Sequence, residues 1–209
     1  LAPVRSAPAM LGEPARHESG EPLLFVSGDG DATVAYLVTR RPFSGYWEYH
    51  IDGALFTAPA RGDHSGAGLF NAQGELLGIG SLVVADALGT GRPRLQGNMF
   101  VPVDLLKPIL AELRERGLSQ ASRRAWIGVN CLERDGDLEI VRVNPGSPAD
   151  EAGLQACDRI LALDGVPLKS LEAFYKALWR DAAERDVMLE VTRAGERRRI
   201  TVHTLDRNA

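Results

Sequence analysis

Ser65 is the residue whose setting best suits nucleophilic chemistry. It lies in GDHSGAGLF, residues 62–70, among small and turn-forming residues. Gly66 and Gly68 let the backbone bend sharply and let a second peptide approach closely, as a serine nucleophile with an oxyanion hole requires. Attack by Ser65 Oγ needs a histidine to take its proton and an aspartate to orient that histidine. The chain has four histidines, His17, His50, His64 and His203. His64 is adjacent to Ser65, and neighbouring side chains on a tight loop diverge, which makes it a poor base. His17 falls in a polar opening segment and is expected to be exposed. His50 and His203 fall in strand-like runs and are expected to be structural or exposed. The plainer reading of 62–70 is a glycine-rich surface turn ahead of a hairpin.

The elements that must position this loop read as strands. Residues 23–27 and 32–39 flank Gly28, Asp29, Gly30 and Asp31, a hairpin signal. Residues 46–51 and 54–57 form a second pair across Asp52 and Gly53, and 66–70, 76–84 and 98–101 follow. Short strands at this spacing, broken by glycine turns, predict an antiparallel barrel. Residues 103–116 change period: Leu105, Ile109 and Leu113 recur at four-residue steps, Asp104 can cap, and Gly117 closes a predicted helix. Pro108 is tolerable near the first turn. Residues 118–124, LSQASRR, have the composition of a linker, so a domain boundary is expected there.

Bulk properties narrow the function classes. At 209 residues there is room for two domains with separate cores, and 44% hydrophobic with 25% charged residues is the balance of a globular protein. A net charge of −4 gives no basic surface for nucleic acid. No apolar run approaches the roughly 20 residues that span a bilayer, and LAPVRSAPAM lacks a signal-peptide pattern. Leu1 in place of an initiator methionine suggests a processed or shortened chain. The two cysteines, Cys131 and Cys157, fit no zinc spacing; either two free thiols or a disulfide is open. No metal and no organic cofactor are expected.

The run from Ser65 through ELLGIG, residues 75–80, resembles the nucleophile segment of HtrA/DegP-like, trypsin-fold serine proteases, with Ser65, Gly66 and Leu69 matching and Asp63, His64, Ala67 and Gly68 departing. The FVPVD segment leading into the predicted helix resembles the end of that protease domain. From Ala125 the text is similar to a PDZ domain: Trp126, Ile127, Gly128 and Val129 as the carboxylate-binding loop, Ser147, Pro148 and Ala149 as a helix start, then Asp158, Ile160, Asp164 and Gly165, with Cys157 where the pattern has glycine.

The resemblance implies a mostly β chain in three parts. Residues 1–117 are a chymotrypsin-like half barrel ending in a helix, 118–124 a linker, and 125–209 a PDZ domain of α+β small-barrel type. It implies a serine endopeptidase acting on misfolded proteins in the bacterial periplasm or cell envelope, with Ser65 as nucleophile and the backbone of Asp63, His64 and Ser65 around the oxyanion. The family's histidine and aspartate would precede the residues seen here, so the chain alone should be inactive. Asp63 also puts a carboxylate near the oxyanion, and losing one oxyanion donor costs about 10² to 10³ in rate. Peptides with apolar C-termini would add as a strand, their carboxylate held by Ile127, Gly128 and Val129, with Trp126 packed beneath and Leu171, Phe174, Tyr175 and Leu178 lining a pocket or facing the core. Expected partners are unfolded chains, C-terminal peptides and, in the parent, a homo-oligomer, trimeric in the family. The alternative is a non-catalytic protein in which Ser65 is a relic and the PDZ domain acts by binding.

Overall fold

A computed structural model of the chain describes residues 7–134 and 136–207. It divides into two compact units: residues up to Pro42 together with Ile51–Gly117, and Phe43–His50 together with the residues from Leu118 onward.

The first unit is the antiparallel barrel that the strand spacing predicts. Strands β1 (Pro22–Val26), β2 (Ala32–Gly45), β3 (Tyr49–Ala58), β4 (Gly68–Phe70), β5 (Leu76–Val84) and β6 (Gly97–Pro102) close in the order β1-β2-β3-β6-β5-β4, with residues 43–45 of β2 and 49–50 of β3 counted in the second unit. The β1–β4 ladder pairs Phe25 with Leu69 and seals the barrel. Alternation along β1 turns Leu23 and Phe25 inward, onto a core with Ala35, Leu37, Leu55, Leu69, Leu77 and Phe100. Phe25 meets Phe100 edge to face at 5.9 Å, the arrangement the ring quadrupoles favour.

Two local expectations fail. The reversal expected at Asp52 and Gly53 lies instead at residues 46–48, and β3 runs unbroken past Gly53, which holds φ +66 within the strand. The reason is tertiary: the turn at 46–48 is bonded within the second unit, and those contacts outweigh a local Asp-Gly signal. The helix expected over 103–116 is split into a 3₁₀ turn, Val103–Leu105, and α1, Leu110–Arg116. Pro108 lacks an N–H and restricts Lys107, so the helical ladder cannot run through. Asp104 pairs with Lys107 Nζ at 2.8 Å and makes no cap.

The second unit holds its own core. The strands β7 (Ala125–Trp126), β8 (Val129–Arg134), β9 (Asp137–Val143), β10 (Arg159–Leu163), β11 (Val166–Pro167), β12 (Asp186–Arg193), β13 (Glu196–His203) and β14 (Leu205–Asp206) are joined by helices α2 (Pro148–Glu151) and α3 (Leu171–Leu178). The main sheet runs β13-β12-β10-β9-β8, leaving β8 at its edge, while β14 pairs with β7. Ser147 and Ser170 cap α2 and α3, as their positions before Pro148 and Leu171 predict. Arg193 grips the fully buried Asp158 with Nε at 2.6 Å and Nη2 at 2.7 Å, a bidentate pair that fixes the turn carrying Cys157. Cys157 holds φ +70, the conformation for which the resembled pattern carries glycine. Both cysteines are free, Cys131 buried and Cys157 exposed.

Candidate functional site

The loop between β7 and β8 turns its amides in one direction. Ala149 N–H donates to Ile127 O at 2.9 Å and Asn144 N–H to Gly128 O at 2.8 Å, so both carbonyls are tied back toward the start of α2. Their N–H groups therefore face the other way. Gly128 makes the curl possible: its φ is +85, and a Cβ there would fall 2.3 Å from Ser147 Cβ. Three successive amides converge on one point, the concave backbone geometry that binds anions.

A carboxylate occupies that point. Glu48 Oε1 accepts from Gly128 N–H at 2.7 Å and Val129 N–H at 2.8 Å, and Oε2 accepts from Ile127 N–H at 3.3 Å. Glu48 is 1% exposed. Burial pushes its carboxyl up to about 7, against the opposing pull of the three amides and the Arg207 guanidinium. Along β8, the Cys131 N–H donates to Tyr46 O at 2.9 Å. From α3, the Tyr175 hydroxyl donates to Gly45 O at 2.7 Å and accepts from Glu48 N–H at 3.2 Å. Arg207 Nη1 donates to Glu48 O. All of these residues belong to the second unit.

The other residues singled out in this region divide by burial. Leu171, Phe174, Tyr175 and Leu178 share one face of α3 and all sit in the core; of the four, Tyr175 reaches the bound segment, through its hydroxyl. Trp126 is partly buried and pairs with Leu205 across β7 and β14. Glu48 and the turn before it escape a reading by residue type. Their one signal is SGYWEY, residues 44–49, an aromatic-rich stretch with a single acid and none of the Asn-Gly or Asp-Gly chemistry of a tight hairpin.

Ser65 lies in the first unit, exposed, on a turn closed by Ala67 N–H donating to His64 O at 3.0 Å, with Gly66 at φ +74. The turn rests on β5: Gly66 N–H donates to Gly80 O at 2.9 Å, and a Cβ on Gly80 would fall 1.9 Å from His64 O. The Asp63 carboxylate is drawn aside by Arg61, with Nε–Oδ1 at 2.8 Å and Nη2–Oδ2 at 2.6 Å, and this pairing lowers its pKa. Arg61 also reaches Asp31 at 2.9 Å, and its backbone is locked to Asn98 in both directions.

Each histidine ring bonds elsewhere. His64 Nδ1 lies 3.1 Å from Arg61 O, His17 Nδ1 2.6 Å from Glu21, His50 Nδ1 2.8 Å from Ser44 Oγ, and His203 Nδ1 2.8 Å from Asp186. His17 is therefore partly buried against Glu21, where exposure was expected. The turn presents a serine, and no histidine–aspartate relay to Ser65 is formed among the described residues.

Known proteins resemble both units. Residues 125–204 match the PDZ domain family. A probable periplasmic serine endoprotease, DegP-like, of Halomonas elongata is 30% identical over 152 residues, covering 66% of this chain and 30% of that protein. The Do-like serine protease HtrA of Bacillus subtilis is 29% identical over 155 residues, covering 64% of this chain and 32% of its own length. The chain thus spans about a third of these relatives. In fold it is similar to the HtrA-type protease AlgW solved with a tripeptide, at TM-score 0.59, 18% identity and coverage of 95% of this chain and 69% of that one. It is similar also to a serine endoprotease from Yersinia pestis, at TM-score 0.54, 19% identity and coverage of 95% and 66%.

Proposed function

We propose that this chain, an HtrA-like protein with a C-terminal PDZ domain, acts by capturing peptide carboxylates in the nest formed by Ile127, Gly128 and Val129. The observation that carries this reading is that all three amides already bind a carboxylate, that of Glu48, with two contacts shorter than 3 Å. A free C-terminus offers the same two oxygens. Its preceding residues would add along the edge of β8, where Cys131 N–H, which here donates to Tyr46 O, would donate to a peptide carbonyl instead. Edge addition supplies backbone hydrogen bonds of little sequence preference, and the nest supplies the requirement for a chain end. Relatives named periplasmic endoproteases suit a role with unfolded or cleaved chains in the periplasm or envelope.

The test compares a fluorescently labelled peptide ending in a free valine carboxylate with its C-terminal amide. The free acid is expected to bind the folded chain and the amide to bind at least about tenfold more weakly, since the amide lacks the charge that the nest receives. Equal binding of both would refute carboxylate capture.

The relatives favour a second reading, serine endopeptidase, in which Ser65 attacks the scissile carbonyl and the amides of Ser65 and Asp63 face the oxyanion. Asp63, held by Arg61, no longer sets an unpaired charge beside that oxyanion. The missing part is the base, which residues outside this chain would have to supply. A fluorophosphonate should leave the chain unlabelled by itself. Labelling that disappears in Ser65→Ala would instead establish an activated serine here.

A further inference from the structure

The segment that fills the nest is built like a ligand. Its carboxylate sits on three amides, and the carbonyl two residues earlier, that of Tyr46, accepts from Cys131 N–H on the outer edge of β8. A carboxylate in the nest with a carbonyl on the edge strand is the pairing an added peptide strand would make. Tyr175 then holds both ends of the turn, Gly45 O on one side and Glu48 N–H on the other. Arg207 takes the Glu48 carbonyl.

The turn also bears strain. Glu48 holds φ +55, a left-handed conformation that is unfavourable for an L residue and persists where surrounding contacts enforce it. The aromatic residues around it pack on one another: Trp47 stacks on Tyr49 with centroids 5.4 Å apart and meets Tyr46 edge-on at 4.8 Å. A peptide that takes both the nest and the Cys131 N–H must displace the Glu48 carboxylate and the Tyr46 carbonyl together. Occupancy is exclusive, because the three amides that would receive a peptide carboxylate are the three that Glu48 holds.

We propose that residues 45–48 are an internal ligand of the carboxylate nest, so that a C-terminal peptide binds by displacing Glu48. This rests on the reading of the nest as a peptide site. It adds that the resting chain is closed, and that apparent peptide affinity is the intrinsic affinity reduced by the fraction of open molecules. It also gives the nest a second ligand class, an internal glutamate presented on a β-turn.

The experiment uses the whole chain as wild type, Glu48→Ala and the isosteric Glu48→Gln. The probes are the free-valine peptide, its amide, and exchange of the Gly128 and Val129 amides without peptide. Glu48→Ala is expected to bind the free acid at least about tenfold more tightly than wild type, to ignore the amide, and to lose protection at Gly128 and Val129. Glu48→Gln should move in the same direction and guards against a folding defect in the alanine variant. Equal, tight binding by wild type and both variants would overturn the internal ligand while leaving the peptide site intact. Weaker binding by folded variants would overturn it too, making the turn part of the platform. No binding by any form, with the two amides freed in Glu48→Ala, would remove the peptide-site reading and reduce Glu48 to a structural clasp.

Discussion

At Glu48, burial outweighs three hydrogen bonds. The carboxyl rises to about 7 because removal from water penalises the charged form more than the amides and Arg207 restore it. The other titratable groups against it are Cys131 and Tyr175, both pushed upward by burial and so protonated near neutrality. The sign follows from linkage. A carboxyl raised in the folded state holds its proton there and releases it on unfolding, so its contribution is complete below pH 4.5 and lost as pH rises to about 7. Wild type should therefore exceed Glu48→Ala in melting temperature by more at pH 5 than at pH 8; a gap that does not change with pH would show that Glu48 is not buried in the nest. Gly128 carries the complementary prediction. Gly128→Ala meets both a positive φ and Ser147, so a loss of about 1–3 kcal/mol and of free-acid peptide binding is expected. Unchanged melting and binding would mean the loop has room that this geometry denies.

At the level of elements, what could be read from the sequence was whatever local chemistry decides. The apolar face of α3 at Leu171, Phe174, Tyr175 and Leu178 follows from their spacing, and the helix start at Ser147 from the PDZ resemblance. The β2–β3 reversal did not, because the 46–48 turn is chosen by bonds to Val129, Cys131 and Tyr175, far along the chain. Glu48 was missed for the same reason: an acid on a hairpin looks solvated until the amides it meets are known. Of the residues proposed for the peptide site, the three loop amides converge on the Glu48 carboxylate, while Leu171, Phe174 and Leu178 are core. Two turns offer tests. The β12–β13 turn places Ala194 at φ +50 before Gly195 at φ +85, so Ala194→Asn should raise stability by up to about 1 kcal/mol in thermal melts; a fall would contradict the left-handed assignment. On β5, Gly80→Ala drives a methyl into the His64 carbonyl, and the Ser65 turn should lose amide protection at Gly66. Retained protection would show that the turn does not depend on that close approach.

For the whole molecule, the two cores share no residue, one built around Phe25, Leu69 and Phe100 and the other around Ile127, Phe174 and Leu189. Phe174→Ala should remove about 3–5 kcal/mol from the second core while amides of the barrel strands stay protected. Simultaneous loss of protection in both would mean that the units unfold as one. Among the described residues no helix is long and apolar enough to cross a membrane. The resemblance to HtrA-like proteins is carried by Ser65, Gly66 and the 125–168 motifs, yet resemblance and fold leave open which unit acts, since function belongs to the site. The decisive measurement is an amide NMR titration of the chain with the free-valine peptide. The largest shifts are expected at Ile127, Gly128, Val129 and Cys131, with matching changes at Glu48 as it leaves the nest. Binding that leaves those amides unmoved, or shifts confined to the barrel unit, would contradict carboxylate capture.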